Sequence, residues 1–249
     1  MIYLNKVFEM KKIIYDFDGT LTPFSIPRFS ILEKCGYEDG ALNPKFLNEV
    51  KTRMKNENLD LYVSFYKTMF DKMNENNIEL KDINFCYGAE DIEYNKGVIS
   101  FLENLHKNNI FNYVLSSGLK VYLEKTKISP FIKDIFGTTF KYNENDEVID
   151  FDILMNDKKK VIGIKKILES LNIEDDDCRE LIYIGDGLTD LDAMEFIKEH
   201  GGISIFVCQD LDGKDLEKIK ENPNVDYYFK ADYSSDSDLS MYINKICGI

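Results

Sequence analysis

The sequence predicts an α/β protein: a doubly wound parallel sheet with a small helical block inserted near its start. Three observations carry this. Apolar runs at residues 13–15, 111–115 and 181–184 are continuous rather than alternating, as strands buried on both faces are. These runs alternate with helical stretches, the order that builds parallel sheets through crossover connections. From about Arg28 to Glu90 the alternation stops, and apolar residues recur at three- and four-residue steps with no strand between them.

The first strand ends in Asp16-Phe17-Asp18-Gly19-Thr20-Leu21-Thr22. Ligands of open parallel sheets sit beyond the carboxyl ends of the strands, where Asp16 and Asp18 fall. Residues i and i+2 point the same way on a strand, so the two carboxylates converge. Like charges that close require a cation or a shared proton. Oxygen ligands of this kind suit a divalent metal, Mg2+ first. The D-x-D spacing alone is unspecific: Asp150/Asp152 and Asp210/Asp212 repeat it. Asp210-Leu211-Asp212-Gly213 also lacks the ligand ladder of a calcium loop.

Pro23 and Pro27 keep the next residues out of helix. Phe29, Ile31 and Leu32 then start a short helix that Gly36 ends. Pro44 suits a first helical position before Phe46, Leu47, Val50 and Met54. Leu59, Tyr62, Val63, Tyr66, Met69, Phe70 and Met73 form an amphipathic stripe, read as the packed core of the insertion. A helix follows over 97–108. The strand at 111–115 then ends at Ser116-Ser117-Gly118, and a helix over 121–127 is stopped by Pro130. Residues 136–157 suggest a short strand pair with an acidic turn. Residues 160–171 read as helix, 174–177 as a solvated acidic loop, and 181–184 as a strand ending in Gly185-Asp186-Gly187-Leu188-Thr189-Asp190. A helix through Met194 and Ile197, strands at 203–207 and 225–229, and a terminal helix complete the pattern. The expected division is a core of residues 1–23 and 95–249 and a cap of residues 24–94.

At 249 residues, with 44% apolar and 31% charged residues, the chain reads as soluble and globular. A net charge of −14 argues against nucleic acid or anionic membrane as the main partner, since both require a basic footprint. The five cysteines are scattered, which fits a reduced, cytoplasmic chain better than a disulfide framework. No stretch approaches the ~20 apolar residues of a membrane span, and no signal-peptide core precedes the first strand. Met10 is a plausible alternative start. His106 and His200 read as surface residues near helix ends.

The string from Asp16 to Thr22 resembles the first motif of the haloacid dehalogenase (HAD) superfamily of phosphohydrolases. The resemblance implies a Rossmann-like core and three further motifs in fixed order. A Ser closing a hydrophobic strand matches Ser116, with Ser117 and Gly118 presenting backbone to phosphate. A lysine before the fourth strand matches one of Lys158, Lys159 and Lys160. Positions i, i+4, i+7 and i+11 share a helix face. Lys160 therefore aligns with Ile164, Ile167 and Leu171, toward the sheet, and Lys159 with Gly163 and Lys166, toward solvent. Lys160 is preferred, Lys159 held in reserve. Gly185-Asp186-Gly187-x-x-Asp190 matches the last motif, with Asp186 a metal ligand and Asp190 binding the metal or its waters. Asp192 and Glu195 fall on the outer helix face.

The order of motifs and cap is most similar to the phosphoserine-phosphatase-like branch. It implies that Asp16 attacks phosphorus to form an aspartyl-phosphate and that Asp18 first gives and then takes a proton. It further implies that Mg2+ is held by Asp16, the Asp18 carbonyl and Asp186, and that Lys160 and Ser116 hold the transferring oxygens. The substrate would be a small phosphorylated metabolite and the protein a monomer or homodimer. A phosphotransferase or phosphomutase would use the same motifs. A binding module would show a damaged motif, and none is damaged. Phosphoserine itself is not the expected substrate. Residues 21–31 hold no acid, and residues 59–73 hold Lys67 and Lys72 but no arginine, whereas an amino-acid site requires a carboxylate and a bidentate fork. Arg28 and Arg53 read as surface residues. Phe24 and Phe29 suggest a leaving group with apolar or ring surface.

Overall fold

The structure, a computed structural model, describes residues 11–24, 29–173, 176–210, 220 and 222–249. The readings placed on Met10, on residues 25–28 including Pro27 and Arg28, on residues 174–175 and on Leu211, Asp212 and Gly213 lie outside the described residues.

The first strand, β1 (Lys12–Tyr15), is followed by an insertion holding α1 (Ile31–Lys34), α2 (Pro44–Glu57), α3 (Leu61–Glu75) and α4 (Asp82–Phe85). Strand and helix then alternate. The elements are α5 (Val98–Lys107), β2 (Phe111–Leu119), α6 (Lys120–Leu123), β3 (Asp134–Tyr142), β4 (Val148–Ile153), α7 (Asp157–Ser170), β5 (Leu181–Gly185), α8 (Leu191–Glu199), β6 (Ile203–Cys208), β7 (Tyr227–Lys230) and α9 (Asp238–Cys247). The strands form one sheet of order β4-β3-β2-β1-β5-β6-β7, parallel except for the antiparallel β3–β4 pair.

The period of two along each strand divides the core between the two faces of the sheet. Ile13, Tyr15, Val114, Ile182 and Ile184 pack with Val98, Leu102 and Leu105 of α5 and Leu239 and Ile243 of α9. Ile14, Tyr113, Leu115 and Tyr183 pack on the other face with Ile164, Ile167 and Leu168 of α7 and Met194 and Ile197 of α8. At ~1.5–3 kcal/mol for each large apolar side chain removed from water, these two layers are the main force ordering the sheet. The insertion has its own apolar cluster. Phe46, Tyr66, Met69, Met73 and Phe85 close against Tyr122 and against Phe140 and Val148 of β3 and β4, as the amphipathic stripe predicts.

Differences in extent from the sequence reading include four with a local cause or consequence. β2 continues through Leu119, with a register shift between Leu115 and Leu119, so Ser116 lies inside an irregular strand rather than at its end. α6 stops at Leu123, where the Thr126 hydroxyl donates to the Leu123 carbonyl at 2.6 Å, a side-chain bond that competes with helix continuation. α7 starts at Asp157, earlier than predicted, because the Asn156 side chain caps it by accepting from the Lys159 N–H. β7 starts at Tyr227, although Val225 before it is buried.

β1 lies between β2 and β5, the two halves of the winding. The crevice beyond its carboxyl end is therefore the switch point where such folds bind ligands.

Candidate active site

Asp16 directly follows β1, and its N–H donates to the Ile184 carbonyl at 2.9 Å, holding it level with the end of β5. The chain then turns sharply at Gly19, with φ +79°, where a Cβ would run into the Asp186 carboxylate. Only glycine meets both demands. The turn brings Thr20 back so that its hydroxyl donates to Asp186 Oδ1 at 3.2 Å. Asn95, 5% exposed, donates to the Thr20 and Thr22 carbonyls at 2.8 and 3.0 Å and accepts from Gln209.

Lys160, on the first turn of α7, is 2% exposed. Its ammonium lies 3.2 Å from Asp16 Oδ2 and 2.7 Å from Asp190 Oδ1. Lys159 turns away and donates to the Leu154 carbonyl at 2.8 Å. Asp190 is wholly buried, and its two oxygens accept four hydrogen bonds. Oδ1 accepts from Lys160 and from the Tyr183 hydroxyl at 2.6 Å, and Oδ2 from the Asp186 and Gly187 N–H groups at 3.2 and 3.1 Å. That saturates a carboxylate, so Asp190 fixes both the lysine and the loop that carries Asp186. A side chain at Gly185 would strike this carboxyl group.

Asp18 is 8% exposed, and its Oδ1 is buried without a hydrogen-bond partner among the described residues. Ser116 is fully buried and its hydroxyl accepts from the Gly118 N–H at 3.0 Å, so this pair is bonded to itself. The Ser117 carbonyl accepts from the Tyr66 and Thr138 hydroxyls at 2.8 and 2.9 Å. Asp192 and Glu195 are exposed on α8, as read.

Burial is the largest influence on the acids. It raises Asp16 to about 7 against the opposing pull of Lys160, and raises Asp186 to about 8 with help from Asp16 and Asp190. Burial, then the charges of Asp16 and Asp186, push Asp18 well above the carboxylate range. Lys160 is held protonated, since the attraction of Asp16 and Asp190 outweighs the cost of burying it. Four carboxyl groups thus face one ammonium. Asp16, Asp186 and Asp190 each offer an oxygen within 4.8 Å of the others, an all-oxygen donor set that suits a hard divalent cation.

Two cavities meet at Asp18. One, of about 310 Å³, is lined by Asp16, Lys160, Ser117 and Asp186 on the sheet side and by residues of α2 and α3 on the other. The second, of about 400 Å³, is lined by Phe24, Glu33, Asp91 and Glu93 among others.

Several site residues escaped the sequence reading. Tyr62, which hydrogen-bonds Asp157, and Tyr66 read as core rings of the insertion. Tyr183 read as strand filler, although a hydroxyl two residues before Gly185 on a buried strand is a usable signal. The expectation for Phe29 is corrected. It is fully buried, with its ring centroid 5.2 Å from that of Tyr122, so it builds the apolar core under the mouth rather than lining it. Arg53 is not simply solvated: it pairs with Glu57 and Asp71.

A family model described as haloacid dehalogenase-like hydrolase matches residues 13–195, from β1 into α8. The chain belongs to this family. No curated protein matches it by sequence. Among solved structures, this hydrolase is similar to a phospho-aspartyl intermediate analogue of phosphoserine phosphatase (TM-score 0.59, 16% identity, covering 95% of this chain and 98% of the other). It is also similar to cytosolic 5'-nucleotidase IIIB bound to cytidine (TM-score 0.61, 14% identity, 97% and 86% covered). A third is a predicted phosphatase from Clostridium acetobutylicum (TM-score 0.54, 19% identity, 96% and 99% covered). At these identities the likeness is one of fold.

Proposed function

We propose that this hydrolase is a Mg2+-dependent phosphatase of small phosphate monoesters, working through an aspartyl-phosphate on Asp16. The observation that carries this reading is the unlike environment of two carboxyl groups one residue apart. Asp16 is ion-paired to a buried ammonium, which favours its ionised form. Asp18 is buried with an oxygen that has no hydrogen-bond partner among the described residues, and burial raises its hold on a proton. Carboxyl groups whose surroundings push them apart in this way divide the roles of nucleophile and acid.

Asp16 attacks phosphorus, and the bond from phosphorus to the leaving oxygen breaks as Asp18 delivers its proton to that oxygen. Asp18, now ionised, takes a proton from water, which attacks phosphorus and frees Asp16. Lys160 holds a transferring oxygen and keeps Asp16 charged, while Asp190 and Tyr183 keep Lys160 in place. Ser116 to Gly118 border the phosphoryl position. Asp16, Asp186 and the Asp18 main-chain carbonyl would hold Mg2+, which offsets repulsion between carboxylate and phosphate. With four hydrogen bonds already accepted, Asp190 is assigned to orienting these groups rather than to direct ligation.

Residues 24–94 act as a cap over this crevice. The acidic, membrane-averse composition fits a cytoplasmic enzyme of metabolites. The test is phosphate release from an aryl phosphate with Mg2+ and with excess EDTA. Release should require the cation, and full activity in EDTA would remove the metal from the reading.

A further inference from the structure

The wall of the 310 Å³ cavity contributed by α2 and α3 is mostly carbon. Leu47 and Val50 of α2 and Leu61 and Phe65 of α3 line it opposite the acids. Two hydroxyl groups of α3 that line it are already engaged. The Tyr62 hydroxyl bonds Asp157, and the Tyr66 hydroxyl donates to the Ser117 carbonyl. Leu61 is 50% and Leu188 66% exposed. They come from opposite sides, one from the first turn of α3 and one from the loop between Gly187 and Thr189, yet line the same cavity. Large apolar side chains left in water on two sides of a catalytic cavity are the feature that a bound apolar group would cover.

We propose that this cavity takes a phosphate monoester with an apolar leaving group, an alkyl or arylalkyl alcohol, and that Leu61 and Leu188 form the rim that selects it. The proposal rests on the phosphatase reading and adds the substrate class. The phosphoryl group belongs beside Asp16 and Lys160, so the leaving group extends from there under the roof of α2 and α3. Lys51 at the margin offers the approaching dianion a favourable charge. The second cavity lacks Asp16 and Lys160 and gathers Glu33, Asp91 and Glu93 with Asp18. That side would suit an ammonium group, which gives the rival outcome a definite form.

Alkyl phosphates of increasing chain length test this, because the leaving oxygen keeps nearly constant reactivity along the series. Propyl phosphate against phosphoethanolamine compares a methyl with an ammonium at equal size. For the wild-type enzyme, kcat/KM should rise about fourfold per added methylene until the cavity fills. Propyl phosphate should exceed phosphoethanolamine, and phosphoserine should fall below both. In Leu61→Ser and Leu188→Ser, at exposed positions where folding is little burdened, the gain per methylene should shrink, mainly through KM. A flat chain-length series, or a preference for phosphoethanolamine or phosphoserine, overturns the proposal and leaves the phosphatase reading standing. Unchanged chain-length dependence in both variants overturns the role of the rim. Phosphate release from none of these compounds, nor from an aryl phosphate, overturns the reading beneath it.

Discussion

Lys160 sits at 2% exposure between Asp16 and Asp190, while the neighbouring Lys159 donates to the Leu154 carbonyl. Lys160→Ala should therefore lower kcat/KM at least about tenfold more than Lys159→Ala, or roughly 1.4 kcal/mol in barrier. Comparable losses in the two variants would show that the ammonium beside Asp16 does not hold the reacting group. Thermal melts belong with this comparison, since removing one partner of a buried charge pair costs ~3–5 kcal/mol. The raised carboxyl groups make a second prediction. Asp16 and Asp186 carry folded values of about 7 and 8, above the ordinary 3.8. Between these limits the folded, metal-free protein binds more protons than the unfolded chain. Their contribution to stability is then greatest at low pH and is lost as pH rises through the window. Mg2+ should accordingly raise Tm more at about pH 8 than at about pH 5. A metal-free Tm that climbs across that range, with no larger Mg2+ shift at the upper end, would contradict the assignment. The choice of Lys160 was legible because helix phase puts it with Ile164 and Ile167. The same phase argument misplaced Gly163, which is buried where a Cβ would strike the Leu115 side chain. α7 is covered over an arc wide enough to include part of the face assigned to solvent.

Among the elements, the core strands and the ends of β1 and β5 were readable because a buried parallel strand must be continuously apolar and its end must be polar. The bulge within β2 was not readable, since the irregular stretch from Ser116 to Leu119 is bonded to Thr138 of β3 and Tyr66 of α3, both distant in the chain. The faces of α3 were half legible. Period placed Tyr66, Met69 and Met73 inside, but period cannot say that Tyr62 and Tyr66 reach toward Asp157 and Ser117 on the core. The turn after β1 is the tightest local demand. At φ +79° and against Asp186, Gly19→Ala combines backbone strain with a steric clash. It should cost ~1–3 kcal/mol of stability and lower activity by displacing Asp186. Wild-type Tm and wild-type Mg2+ dependence in this variant would mean the turn at Gly19 does not hold the Asp186 carboxylate in place.

At the scale of the whole molecule, a chain of net charge −14 sets four carboxyl groups around one ammonium at the switch point of its sheet. Composition alone announced the acidity, and the motifs announced where it concentrates. The leaving-group side was not legible in the sequence. Its walls come from α2 and α3, which are neighbours in the chain, and from the Leu188 loop, which lies far beyond them, whereas the sequence pointed to Phe24 and Phe29. Among the described residues no helix is long and apolar enough to cross a membrane. The proposed function turns on a phosphoryl group carried for a moment by Asp16. The direct measurement is acid quench of Asp18→Asn reacting with an aryl phosphate, followed by peptide mass spectrometry. The account predicts one phosphoryl group on the peptide containing Asp16, accumulating because water is activated poorly, and none in Asp16→Asn. A phosphoryl group on another residue, or rapid release of the aryl alcohol with no phosphorylated peptide, would contradict it.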